Sequence, residues 1–323
     1  MLSTELTRSW GLRHPIVQAP MAGVAGGALA GAVSAAGALG MLGISGSTPA
    51  AWIAEQAAVA RPFGQFGIGL MVWTLPDRPD LLDATLTEHP AVVSLSFGDP
   101  APYVERCHAA GARVLAQVQD AASARQAIAA GVDGLVAQGA EAGGHTGLVG
   151  TLPLLQVVLD LAEPAGLPVL AAGGIATGRG MAGVLAMGAA GVWIGTRFAA
   201  TAEAMGAPAA KQAMLAATEA DTVHTHVFDL ITSQAWPDAY PGRALRNAFT
   251  DRWHGQEPAL QQQFADAFRD FDTARAAGDY RQMYIYAGQA VGAIADLPAA
   301  GVLVARLATE AEAHLAKVRA LLG

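Results

Sequence analysis

"VLAAGGIATGRGMAGVLAMGAAGVWIGTRF", Val169–Phe198, contains one full structural period of this chain. A short apolar run ends in Gly173-Gly174, a helix-like stretch from Gly178 to Met187 closes at Gly188, and a second apolar run ends in Gly195-Thr196. Short apolar runs bounded by turn residues read as buried strands, and the longer stretch between them reads as a helix with a glycine stop. Strand, helix and strand in succession make a βαβ unit with parallel strands.

The same alternation fills nearly the first two hundred residues. Candidate strands are Ile16–Gln18, Leu39–Leu42, Phe66–Leu70, Val92–Ser96, Val114–Val118, Gly134–Gln138, Val169–Ala171 and Val192–Ile194. Pro102–Ala110 and Ala121–Ala130 are the clearest further helices, closed by Gly111 and Gly131. Eight βα units of short period predict an α/β protein built on a closed (β/α)8, or TIM, barrel rather than an open doubly wound sheet. Beyond residue 200 the segments become longer, more charged and helical, including Pro258–Ala277. The expected organisation is therefore a barrel from residues 1–204 and 281–323, with a smaller, mainly helical capping segment at 205–280. A last helix, Val302–Leu322, is expected to pack on the barrel wall.

Composition agrees with a buried sheet wrapped by small-residue helices: 53% of residues are apolar, 14% are charged and 38 are glycine. A net charge of −8 without a basic run longer than a pair leaves no footprint for nucleic acid or anionic lipid, so a small-molecule partner is expected. Residues 15–54 carry no formal charge, yet they are mostly Ala and Gly with Pro20 near the start. They read as strand, turn, helix and strand rather than as a membrane span. "MLSTELTRSWGLRHP" lacks the basic-then-apolar order of a signal peptide. The single cysteine, Cys107, excludes an internal disulfide framework, and the cytoplasm is the expected compartment. An Ala-rich surface leaves a homodimer open.

In a barrel of this kind the active site is built from the loops after the strands' C-terminal ends. Gly173-Gly174 and Gly195-Thr196, 21 residues apart, are either tight turns or a phosphate site; glycines let backbone N–H groups approach phosphate oxygens. Two such turns after the last two strands favour the phosphate site. Ala19-Pro20-Met21 ends the first strand, where Pro20 either terminates the strand or aims backbone groups at a flat ligand. Gln117 and Gln138, each at a strand end, offer amides to a polar ring edge, although buried glutamines need partners in any case.

"GAEAGGHTG", Gly139–Gly147, follows the sixth strand. Of eight histidines only His145 lies in a strand-end loop, which marks it for chemistry over a merely structural role. No HExxH or cysteine pair occurs, and His224-x-His226 has no obvious third ligand, so no metal is expected. A hydrolase triad lacks its G-x-S-x-G elbow. Asp77, Asp99, Asp120, Glu141 and Arg179 form no evident pair, which weighs against a non-redox phosphate-binding barrel. Glu141 is read as facing solvent rather than shaping the loop.

In combination, "QAPMAG", "GAEAGGHTG", "AAGGIATGRG", "GTRF" and "YAGQAVG" (Tyr286–Gly292) resemble the nitronate monooxygenases, formerly 2-nitropropane dioxygenases, over nearly the whole chain. The resemblance implies non-covalent FMN. It implies that Gly174 and the run Trp193, Ile194, Gly195, Thr196 meet the phosphate, and that Gln138 and Gly143 lie by the ring or ribityl chain; Gly69, Gln117, Gly144 and Gly173, at the same strand ends, are counted with them as cofactor-binding candidates. Pro20, Met21 and Ala22 would contact the ring, Gly288 and Gln289 would close the site, and His145 would be the catalytic histidine. The implied substrates are an alkyl nitronate or nitroalkane and dioxygen, giving a carbonyl compound and nitrite. Two departures stand out: Gly69 replaces an asparagine that contacts the flavin in many relatives, and "VSAAGALG" replaces the commoner "SNAGGLG". The nearest alternative is an FMN-dependent NAD(P)H reductase of the same superfamily, either like the enoyl-acyl-carrier-protein reductases, which share the "GGH" loop and "GTRF", or like the NADH:quinone reductases.

Overall fold

All eight apolar runs form parallel strands, with bounds within one residue of those expected. The computed structural model describes residues 2–322. Its barrel strands are β1 (Ile16–Gln18), β2 (Gly40–Gly43), β3 (Phe66–Met71), β4 (Val92–Ser96), β5 (Arg113–Val118) and β6 (Gly134–Gln138). After a short excursion, β7 (Gly144–His145), which belongs to another sheet, the barrel resumes with β8 (Val169–Ala172) and β9 (Gly191–Ile194). Neighbours run β1-β9-β8-β6-β5-β4-β3-β2. The ring closes through one parallel bridge, Val17 to Leu39, where Gln18 N–H donates to Leu39 O at 2.9 Å and Leu39 N–H to Ile16 O at 3.0 Å.

Alternation along the strands separates two apolar layers. Val17, Met41, Val92, Leu115, Val136 and Trp193 fill the interior, with Leu6 and Trp10 from the helix Glu5–Trp10 packed against them. That helix closes the N-terminal end, since Gln65 and Arg113 at the starts of β3 and β5 donate to Trp10 O and Ser9 O. Ile16, Leu42, Ile68, Val93, Leu135 and Val192 point the other way, into the layer shared with the helices. The stretch that resembled a membrane segment resolves into β1, a turn, the helix Gly27–Ala35 and β2. Among the described residues no helix is long and apolar enough to cross a membrane.

The C-terminal helix, Ala300–Arg319, lies on the helix Gly178–Ala186 at the barrel wall, where Gly178 N–H donates to Glu310 Oε2 at 3.0 Å. Pro258–Ala277 is two helices, Glu257–Gln262 and Phe264–Ala277, joined at Gln263. They share a separate apolar core with Phe228, Phe249, Trp253 and Phe271. Beside these helices the structure has a small sheet that the sequence reading did not contain. β10 (Thr222–Thr225) pairs antiparallel with β11 (Gly242–Leu245), which pairs antiparallel with β7. "TVHT" and "GRAL" are too short and too polar to register as apolar runs.

Cys107 is fully buried in the helical layer, and burial pushes its thiol up to about 11. Because the thiolate is the reactive form, iodoacetamide at mildly alkaline pH should leave the native protein unlabelled and modify it only once urea unfolds the barrel. Mass spectrometry reads the difference, and rapid labelling of the native state would contradict the packing.

Candidate active site

The chain leaves β6 at Gln138 and turns back within six residues to form β7, so His145 lies over the C-terminal mouth of the barrel. Backbone pairing and a few side-chain anchors hold this loop. Gly144 and His145 pair with Arg243 and Gly242, Thr146 N–H donates to Pro241 O at 3.2 Å, and Gln138 Nε2 donates to the His145 carbonyl at 3.1 Å. Gln138 Oε1 in turn accepts from Gln117 Nε2 and Gln119 Nε2, both at 3.0 Å. The two glutamines read from the sequence are therefore partners of one another, and Gln119 is a third that the sequence did not single out.

The segment Tyr286–Gly292 reaches the same loop from the far end of the chain. Gln289 N–H donates to Glu141 O at 2.9 Å, and Gly288 N–H donates to Thr196 Oγ1 at 3.0 Å. A methyl group on Gly143 would lie 2.6 Å from Gly288 N, and one on Gly288 would lie 2.4 Å from Glu141 O. The two glycines are required because main chain lies on main chain. Gly173 and Gly174 adopt φ of +98° and +71°, conformations that favour glycine, and turn past the same loop. Seven of the expected residues thus lie along one rim: Gly143 and Gly144, then Gly288, then Thr196 and Gly195, with Gly173 and Gly174 adjoining. Trp193 and Ile194 have their side chains in the two apolar layers beneath it, Ala22 is exposed at the edge, and Gln289 joins only through its backbone.

Glu141 does not face solvent. It is half-buried, and Oε2 accepts from both the backbone N–H and the hydroxyl of Thr151 at 2.8 Å. Thr151 opens the helix Thr151–Ala162, whose N-cap is Gly150, so the carboxylate supplies the cap that glycine lacks. Asp120 is likewise a helix cap, accepting from Ser123 N–H at 2.7 Å.

His145 itself is 7% exposed. Its Nε2 lies 2.9 Å from Asp229 Oδ1, and Asp229 is 6% exposed. The indole of Trp236 stacks on the imidazole, centroids 3.4 Å apart and planes 6° from parallel. Trp236 also meets Trp73 and Phe97, and Phe97 meets Tyr240, so aromatic rings line that side of the mouth. Tyr286 lies 5.4 Å from the His145 ring, and burial pushes its hydroxyl well above the usual tyrosine range, so it remains a phenol. His224 and His226, read as lying outside the barrel, stand beside this group on and just after β10. Among the described residues no cluster of three or more His, Cys, Asp or Glu could hold a metal ion. The missed partners left one signal: the lone acid in "VFDLI" is a buried carboxylate in need of a donor.

The asparagine found in many relatives has no room at Gly69. A Cβ there would come within 2.3 Å of Pro20 Cγ and 2.9 Å of Ser94 Oγ. Gly69→Asn should therefore destabilise the fold by about 1–3 kcal/mol through overpacking; an unchanged melting temperature would mean that Pro20 yields freely. His224 is held below its ordinary value of 6.5 first by burial and then by the Arg243 charge, while its Nε2 donates to Pro241 O at 2.8 Å. The unfolded chain thus binds the proton more readily, and this contribution is present above about pH 6.5 and is lost as pH falls toward the lower folded value. His224→Gln, which keeps a donor to Pro241, should flatten the fall of melting temperature between about pH 7 and pH 5; a fall as steep as in the parent would sink this account.

A family model described as nitronate monooxygenase matches residues 3–72 and 77–310. A nitronate monooxygenase from Neurospora crassa is 33% identical over 348 residues, covering 94% of this chain and 91% of its own. Among solved structures, FabK from Thermotoga maritima aligns with a TM-score of 0.87 at 30% identity, over 99% of this chain and 100% of its own. A nitroalkane oxidase from Streptomyces ansochromogenes aligns with a TM-score of 0.79 at 32% identity, over 98% and 99% of the two chains. On that family match, which takes in both the barrel and the late segment that closes its rim, the chain belongs to the nitronate monooxygenase family and is an oxidoreductase of that type.

Proposed function

We propose that the protein is an FMN-dependent nitronate monooxygenase that oxidises alkyl nitronates or nitroalkanes with dioxygen to carbonyl compounds and nitrite. The observation that carries this reading is the placement of a buried, edge-anchored His145 above a rim built from backbone and glycine. In this reading residues 205–280 cap the barrel and supply Asp229 and Trp236 to the mouth.

The rim suits a phosphate-bearing flat ring. At Gly174 the nearest atom to an added Cβ is Glu141 Cβ at 3.6 Å, and at Gly195 it is Met21 Sδ at 3.5 Å, so neither turn is pressed on main chain as Gly143 and Gly288 are. Gly173, Gly174, Gly195 and Thr196 would hold the phosphate, and Pro20, Met21, Gln117 and Gly143 would border the ring. FMN, when bound, supplies the electron transfer that joins substrate to dioxygen.

His145 acts on the proton. With a nitroalkane its neutral imidazole takes the hydrogen α to the nitro group: the C–H bond breaks, its electron pair passes into the nitro group, and the proton ends on the ring. With a nitronate this step is already complete. The aromatic rings of Trp73, Phe97 and Trp236 restrict the water around it.

The deciding assay is aerobic nitrite release from short-chain nitronates and nitroalkanes by yellow holoprotein. His145→Ala should keep its flavin and lose about 10²–10⁴-fold in turnover of the nitroalkane. Unchanged turnover would return His145 to a structural role, and a chain that stays colourless with added FMN would overturn the reading. The second reading, an NAD(P)H-dependent flavin reductase, rests on the shared "GGH" (Gly143–His145) and "GTRF" (Gly195–Phe198) motifs. Rapid anaerobic bleaching of the flavin by NADH or NADPH, without nitrite release, would favour it.

A further inference from the structure

His145 is held from three directions, one at its backbone and two at its ring. Its carbonyl receives Gln138 Nε2, one face is covered by Trp236, and the Nε2 edge meets Asp229 Oδ1 at 2.9 Å. Asp229 comes from the helix Val227–Ile231, which packs its apolar residues into the core around Phe228 and Phe271. A carboxylate offers only lone pairs, so Nε2 carries the proton of this bond and Nδ1 is left with a lone pair. No group among the described residues bonds to Nδ1.

Asp229 is poorly explained as a staple for the fold. Its second oxygen, Oδ2, is buried without a hydrogen-bond partner, and the nearest cationic candidate, His226 Nδ1, stands 3.7 Å away. A buried carboxylate satisfied on one side only costs stability, and such a residue persists where the partner it does have needs it. Tyr284 and Tyr286, the other titratable side chains that feel its charge, are both kept as phenols by burial.

We propose that Asp229 is a positioning residue that holds His145 as the Nε2–H tautomer and so presents Nδ1 as the base for the substrate's α-proton. The inference rests on the assignment of His145 above, and it adds which nitrogen acts and what selects it. As the C–H bond breaks, the proton joins Nδ1, the electron pair stays with the nitronate, and the imidazolium that forms is paired with the Asp229 carboxylate. A preformed nitronate needs no such base, so the two substrates should respond differently to loss of the carboxylate.

The test uses the FMN-loaded protein with ¹⁵N-labelled histidine, wild type beside Asp229→Asn. In the wild type at neutral pH, His145 Nε2 should resonate as a protonated nitrogen and Nδ1 as an unprotonated one. In Asp229→Asn, whose amide can donate as well as accept, the Nδ1–H tautomer should gain population. Turnover of the nitroalkane should fall by about 10²–10⁴-fold in kcat with KM little changed, while preformed nitronate retains a much larger fraction of its rate. Asp229→Glu should recover part of the nitroalkane rate. An Nδ1–H tautomer in the wild type, or an equal loss on both substrates with the tautomer unaltered, would overturn the proposal. The tautomer is read without turnover, so failure of the nitronate assignment would show as absent nitrite release with the Nε2–H signature intact.

Discussion

Main chain pressed on main chain at Gly143 and Gly288 is the contact on which the rest of the mouth depends. A loop as rich in glycine as Gly139–Gly147 has few side chains with which to hold itself, chiefly Glu141 and His145, so much of its conformation comes from the main chain it touches. β11 supplies one side through pairing with β7, and the stretch after Tyr286 supplies the other through Gln289 N–H and Glu141 O. Any side chain at Gly143 or Gly288 would force these two stretches of main chain apart.

Charge at the mouth is confined to groups with structural partners. Glu141 is spent on the Thr151 helix, Asp120 on its own helix, and Arg243 donates through Nε to Ala140 O at 2.7 Å. Among the described residues, Asp229 is the buried carboxylate with an oxygen left without a hydrogen bond. Buried beside His145, with Tyr284, Tyr286 and His226 nearby, this carboxylate acts on its neighbour with little competition from solvent.

The barrel was legible because its strands are apolar runs bounded by glycine or proline, and a parallel strand covered on both faces is apolar throughout. The small sheet escaped that rule although its strands are mostly buried, because each is only four residues long and carries a polar or charged residue, as in "TVHT" and "GRAL". The place of His145 over the mouth was legible from its position after β6. Its partner was not, because Asp229 lies 84 residues further on and only the antiparallel packing of β10, β11 and β7 brings the two together. Glu141 was misread for a related reason: whether a loop carboxylate meets water or a helix terminus depends on where the following helix begins. Gly69, noted as a departure from relatives, has a local cause in the Pro20 ring that occupies the space.

The closure of the barrel has a bearing on how the chain is made. β1 pairs fully only with β9, and toward β2 it has the single bridge at Val17 and Leu39. A chain emerging N-terminus first therefore carries an edge strand in search of a partner until residue 192 has appeared. His145 waits longer still, through residue 229 for its carboxylate and residue 288 for the backbone that presses its loop into place. The mouth is thus assembled after the ring beneath it, and until then a nascent chain has an open, apolar ring to shield.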